Sequence, residues 1–279
     1  MRIVISGAGG KTGQAVRRAL AARGADVRPF LHHPTPDPNA IVGDMTRAAD
    51  WARALDGAAA VLHICPNMHP AEVEIGRLAL AAARAAGVRH FVYHSVLHPQ
   101  TEAMPHHWQK LRVEELLLAS GLPFTILQPT AYMQNIRAGW AAIRQEGRYV
   151  VPYPPGSRIS LVDVHDVAAA AARVLTEPGH EGATYELAGT PPLAQSEVAA
   201  VLADVLGRPV AAEALPLDAW QQTAVAAGLS AYAVDTLRRM FVYYARHGLA
   251  GSPNVLRWLL GREPTTLAAC VARWKGRQA

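Results

Sequence analysis

The chain has 279 residues (29.9 kDa), 51% of them apolar and 18% charged. That is enough to bury one sizeable core and a smaller lobe, and it excludes a disordered tail. Mean hydropathy is +0.07, no run of about 20 apolar residues lacks charge, and Met1 leads straight into the strand-like Arg2-Ile3-Val4-Ile5, so a cytoplasmic protein without a membrane span or signal peptide is expected. The formal charge of +5 rests on arginines scattered along Ala-rich segments, which argues against a nucleic-acid partner and leaves a field that favours an anionic ligand.

Strand-like and helix-like runs alternate through the first two-thirds of the chain. A strand at 3–6 precedes a helix over 12–23, short strands at 26–31 and 40–42, and a helix over 46–55. A strand at 59–64, an Ala-rich helix over 71–86, a strand at 89–94, a helix over 107–119 and a strand at 124–127 follow. This order predicts a parallel α/β sheet with right-handed crossovers. Gly24, Gly57, Gly87 and Gly121 each end a helical run, where a left-handed cap is expected. After residue 130 the pattern loosens into a helix carrying Tyr132, Asn135 and Trp140, a Pro/Gly turn at 152–156 and a strand–helix unit over 159–175. Mostly helical sequence then runs to the end. The expected division is 1–130 plus 159–188 for the sheet domain and 131–158 plus 189–279 for a smaller lobe.

Two cysteines, Cys65 and Cys270, make no disulfide framework and no C-x-x-C pair, so any redox chemistry must come from a bound cofactor. Cys65 reads as a small buried apolar residue. His94 and His98 are four apart but lack an acid or third ligand, so no metal site is expected.

Gly7-Ala8-Gly9-Gly10-Lys11-Thr12-Gly13 lies between the first strand and the first helix. Only glycine permits the positive φ of such a turn and the close approach of a pyrophosphate, while the helix start aims N–H groups at an anion. Gly7, Gly9, Gly10, Lys11, Thr12 and Gly13 are therefore the predicted cofactor cradle. The second strand ends in His32-His33, with no carboxylate to hold a ribose diol. Together with Lys11 these histidines favour NADP(H), with NAD(H) as the alternative. Asp44 is a candidate for the adenine edge or for capping the next helix.

Ser95 follows the 89–94 strand, and His106 and Lys110 are four apart, so they share a helix face if the helix includes 106. Lysine occurs only at 11, 110 and 275. Two of the three fall where a dinucleotide fold uses a compact point charge.

These residues resemble the NmrA-like branch of the atypical short-chain dehydrogenases/reductases. The resemblance rests on the 7–13 loop and on His106-x-x-x-Lys110 leading into Val113-Glu114-Glu115. It continues through Ser120–Thr130, Tyr132-Met133-Gln134-Asn135, Val162–Ala168, and a block from His247-Gly248-Leu249 to Thr266. It implies an extended Rossmann sheet binding NADP(H), with a small, mostly helical C-terminal lobe closing over the nicotinamide. In related reductases a Tyr-x-x-x-Lys pair operates, the lysine binding the nicotinamide ribose. Here Lys110 matches that lysine and His106 stands in the tyrosine position, where a histidine can act as a general acid near neutral pH. Ser95 matches a carbonyl-orienting hydroxyl. Tyr132 and Asn135 are implied to line the substrate side. The resulting expectation is an oxidoreductase transferring hydride to a small carbonyl, quinone or conjugated substrate. Its rivals are a non-catalytic NADP(H) sensor that binds a protein partner and an epimerase that retains its dinucleotide. The 71–86 helix could also pack against a copy of itself in a homodimer.

Overall fold

The computed structural model describes residues 1–275. In chain order β1 (Arg2–Ser6), α1 (Lys11–Ala21), β2 (Asp26–Leu31), β3 (Ile41–Val42), α2 (Ala48–Leu55), β4 (Ala60–His63) and α3 (Glu72–Ala85) come first. β5 (His90–His94), α4 (Pro105–Leu118) and β6 (Phe124–Pro129) complete this part. After β7 (Ala131–Tyr132) and a 3-10 helix, Met133–Gly139, come α5 (Trp140–Glu146), β8 (Arg148–Val151), β9 (Arg158–Ile159), β10 (Leu161–Val162) and α6 (Val164–Thr176). β11 (Ala183–Leu187), β12 (Leu193–Ala194), α7 (Gln195–Leu206), β13 (Ala211–Ala214), α8 (Leu217–Ala226), α9 (Ala231–His247), α10 (Asn254–Leu260) and α11 (Leu267–Lys275) follow.

Seven strands form one sheet in the order β11-β6-β5-β4-β1-β2-β3. Every pair from β3 across to β6 is parallel. The strands are short, nearly continuous apolar runs, as a sheet covered on both faces requires. Ile3, Val4, Ile5, Val61, Leu62, Phe91 and Val92 are fully buried. Trp51 of α2 meets Phe30 edge-on at 5.1 Å and donates its Nε1 hydrogen to the Met45 carbonyl at 2.7 Å. The four expected helix-ending glycines, Gly24, Gly57, Gly87 and Gly121, all have φ between +65° and +73°. The chain order reverses direction in the sheet between β1 and β4, the point where open α/β sheets leave a crevice at their carboxyl ends.

Two compact units divide the chain. One comprises Met1–Glu102, His106–Pro129 and Val167–Tyr185; the other comprises Ala103–Pro105, Thr130–Asp166 and Glu186 onward. The sheet domain was expected to regain the chain at 159. Residues 159–166 instead pair within the second unit, where β9 runs antiparallel to β12 and β10 parallel to β7. In that unit β8 and β13 pair in parallel, and Asp166 accepts the Thr265 N–H at 2.6 Å and a bond from Arg262 Nη2 at 2.6 Å. The expected helix around Tyr132 and Asn135 is a strand end followed by a 3-10 helix. Backbone pairing of Tyr132 with Val162 holds that residue extended. No helix among the described residues is long and apolar enough to cross a membrane.

Candidate active site

The site begins where β1 stops. Gly7 has φ +62°, and a Cβ there would stand 2.6 Å from the Ile64 carbonyl oxygen, so side chains are excluded on both counts. Gly10 N–H closes the turn onto Gly7 O at 3.0 Å. A Cβ at Gly13 would lie 2.4 Å from Gly7 O and 2.6 Å from Ala8 Cα, so the first turn of α1 is packed directly on the loop backbone. Ser6 Oγ accepts the Ile64 N–H at 2.9 Å and lies 2.9 Å from His63 Nδ1, which stitches the loops after β1 and β4 together.

Gly9, Gly10 and Lys11 are exposed and Thr12 is buried. Gly10 is the N-cap of α1; no side chain caps it and the first turn carries no acid. The helix start therefore presents its partial positive charge, with Lys11 beside it, at a surface formed by the exposed Gly9 and Gly10. A diphosphate fits this corner.

His32 and His33 follow β2, both exposed, with their rings edge-on at 4.7 Å. Arg17 of α1 grips Asp37 at 2.7 Å and so ties the loop after them to the glycine-corner helix. Asp44 takes the Thr46 N–H and hydroxyl on Oδ1, each at 2.8 Å, and these bonds, backbone one foremost, hold its carboxyl below the ordinary range. The N-cap of α2 is Arg47, so Asp44 makes a local turn and does not cap that helix. Its own N–H is held at 2.9 Å by Asp50, from inside the first turn of α2.

At the carboxyl end of β5 a second group assembles. α4 begins at Pro105, so His106 and Lys110 do occupy successive turns of one helix. Lys110 is buried; its Nζ donates to Glu72 Oε1 at 2.6 Å and to the His94 carbonyl at 3.2 Å, and lies 5.3 Å from the Tyr93 ring centroid. Tyr93 is fully buried and donates its hydroxyl to Glu72 Oε1 at 3.1 Å. His106 Nδ1 stands 3.8 Å from Glu72 Oε2, beyond hydrogen-bond reach.

Burial first, then the charge of Lys110 and the neighbouring His107 and His94, holds the His106 imidazolium well below its usual range. The ring is neutral at neutral pH. In the folded chain it therefore favours the neutral imidazole over the imidazolium. His94 and His63 are pushed down to about 3 and His107 to about 4, each chiefly by burial.

Ser95 is buried, and its hydroxyl donates to Glu114 of α4. Gln128 Nε2 reaches both Glu114 oxygens, at 2.9 and 3.1 Å. The Ser95 proton is thus given to a carboxylate of its own core. Tyr132 is half-buried and Asn135 exposed, both in the second unit.

Glu72, Tyr93 and His63 were missed in the sequence, and two of them had left a signal. The buried positions of α3 are 72, 75, 76, 79, 80 and 83, so Glu72 is a charged residue in register with an apolar stripe. His63 interrupts a strand that is otherwise wholly apolar and buried; its Nδ1 faces Ser6, its Nε2 is buried without a partner, and its ring stacks on Tyr93 at 5.7 Å. What brings Glu72 to Lys110 is Gly76, one turn along α3. A Cβ there would come within 2.7 Å of Val113 Cγ1 on α4.

A family model described as the NmrA-like family matches residues 1–274. The NAD(P)H azoreductase of Xenophilus azovorans is 31% identical over 231 residues, covering 81% of this chain and 79% of that protein. Quinone oxidoreductase 2 of Escherichia coli K12 is 31% identical over 258 residues, covering 92% of this chain and 85% of that protein. Among solved structures, an NADPH-dependent quinone oxidoreductase from Escherichia coli, complexed with NADPH, superposes with a TM-score of 0.86 at 28% identity, over 98% of this chain and all of that one.

Proposed function

Because the chain belongs to the NmrA-like family, we propose that it is an NADPH-dependent reductase of small, delocalised acceptors, quinones foremost. The observation that carries this reading is the glycine corner, where backbone fills the Cβ positions of Gly7 and Gly13 beside an uncapped helix start. The names of the azoreductase and quinone oxidoreductase relatives supply the reaction class.

Gly7, Gly9, Gly10, Lys11, Thr12 and Gly13 would hold the diphosphate, and Lys11 with His32 and His33 the 2′-phosphate. Asp44, whose protein bonds fall on Oδ1, would meet the adenine edge, and Lys110 a ribose hydroxyl. When bound, the reduced nicotinamide supplies a hydride. The chain's own part is to hold the acceptor dry and to manage the proton. Here the candidate donors are weak: His106 is neutral and the Ser95 proton goes to Glu114. An acceptor whose product anion is already stable in water, as a phenolate is, needs no strong acid; an unactivated ketone, which would become an alkoxide, does. The site therefore suits quinones and other conjugated electrophiles better than simple ketones. Tyr132 and Asn135 are proposed to contact the substrate.

The test is oxidation of NADPH across a panel of quinones, enals and unactivated ketones, alongside calorimetric titration of both nucleotides. Quinone turnover with little on ketones is expected. Tight NADPH binding without turnover of any acceptor would overturn the enzymatic reading, and failure to bind either nucleotide would overturn the whole.

A further inference from the structure

We propose that Glu72 is the positioning residue of this site: from α3 it fixes the Lys110 ammonium against the end of β5, so that one N–H of Lys110 remains for a ribose hydroxyl. The destination of that N–H rests on the cofactor reading above; the pinning of Lys110 does not.

Glu72 and Lys110 are 38 positions apart and both are buried. A buried ion pair is supported by the further hydrogen bonds its atoms make, and here there are two. Oε1 takes Lys110 and the Tyr93 hydroxyl, while Lys110 gives a second proton to the His94 carbonyl. The groups facing the pair from the packed elements are Cys65 beyond β4, Tyr93 and His94 on β5, and His106 and Glu114 on α4. Of these, the histidines are neutral, and burial raises the Tyr93 hydroxyl and the Cys65 thiol well above their usual ranges. Burial also raises Glu114, and Ser95 and Gln128 occupy its oxygens. Glu72 is therefore the counter-charge in direct contact with Lys110. The pair also explains why His106, Lys110 and Tyr93 share one small volume without an excess charge. A neutral residue at 72 would leave an ammonium buried without a counter-ion, a situation that drives lysine toward its neutral form.

The chain offers a direct probe, because lysine occurs only at 11, 110 and 275, and Lys11 and Lys275 are exposed. In protein labelled with 13C at lysine Cε, Glu72→Gln should move the Lys110 resonance away from its wild-type position while those of the two exposed lysines stay in place. Glu72→Asp should restore the wild-type position at least in part. On the functional side, Glu72→Gln should raise the NADPH dissociation constant about tenfold and make it depend on pH. The same substitution should add nothing on a Lys110→Met background, because Glu72 acts through that lysine.

A merely structural Glu72 would lower the melting temperature while leaving both the Lys110 resonance and NADPH affinity as in the wild type, and that result overturns the proposal. If Glu72→Gln does not accumulate folded, Lys110→Met decides. It leaves Glu72 without its ammonium and beside His106, so the His106 ring should charge at higher pH, seen in histidine 15N spectra; an unchanged ring refutes the pairing. Expected lysine spectra with no nucleotide bound would remove the cofactor reading and leave the role of Glu72 toward Lys110 standing.

Discussion

Gly13→Ala reverses an ordinary expectation. In an open helix alanine is favoured over glycine by about 1 kcal/mol. At this position the new methyl would stand 2.4 Å from Gly7 O, 2.6 Å from Ala8 Cα and 3.0 Å from Ala8 C, roughly 1 Å inside ordinary contact. All three are backbone atoms of the turn. That turn has little room to retreat, because the Cβ site of Gly7 already lies 2.6 Å from the Ile64 carbonyl. Overpacking of this kind costs about 1–3 kcal/mol, which offsets the helical gain or exceeds it and leaves a net loss of up to about 2 kcal/mol. Where the loop yields instead, the N–H groups at the start of α1 move, and NADPH affinity should fall about tenfold or more.

Urea unfolding and calorimetric titration with NADPH measure the two effects. Gly139→Ala serves as the control, since a Cβ there meets nothing within 4 Å; it should change neither by more than about 0.5 kcal/mol. A Gly13→Ala protein that unfolds at or above the wild-type urea midpoint and binds NADPH with unchanged affinity would refute the account of this corner.

Two further outcomes follow from titratable groups. His63, His90, His94, His106 and His107 are all held below the ordinary histidine range, with burial the largest cause in each. Each is neutral when folded and takes a proton in the unfolded chain below about pH 6.5, so stability is full above that value. It is lost as pH falls toward the folded values, about 3 for His63 and His94 and about 4 for His107. The slope should be about 1.4 kcal/mol per pH unit for each such histidine; urea midpoints that stay flat from pH 7 to pH 5 would contradict it. Replacing His32 and His33 together by Ala should weaken NADPH about 2–5-fold, as expected for exposed charge contacts, and leave NADH unchanged. Equal losses for both nucleotides would show that the histidines do not meet the 2′-phosphate.

Much of the sheet could be read in advance because its information is local. Runs such as Ile3-Val4-Ile5 announce buried parallel strands, and the glycines at 24, 57, 87 and 121 mark left-handed helix ends that few other residues tolerate. The glycine corner was equally legible, since each of its requirements falls within seven residues. The Lys110 site was half legible. The helical spacing of His106 and Lys110 is visible, but the partner that decides their charge states lies 38 residues away on another helix. Its trace was a carboxylate on the apolar stripe of α3, and the same reading of α4, whose buried positions include His107, Lys110 and Glu114, would have marked both helices as carriers of a polar cluster. The protonation of His106 was illegible for a related reason: a sequence shows the residue type, and burial and neighbouring charge set its proton. The division of 159–166 was misjudged because its strands are two residues long and their partners come from beyond residue 130 and residue 190.

The bare α-carbon at position 76 has a reach out of proportion to its size. It carries no functional group, yet the spacing of α3 and α4 that puts a carboxylate within reach of an ammonium depends on a methyl being missing there. Drift at 76 is therefore tied to drift at 113: a bulkier residue on one helix is tolerable only if the valine opposite shrinks. A lineage could retune the electrostatics around Lys110 by trading volume between these two neighbours, without altering any ionisable side chain.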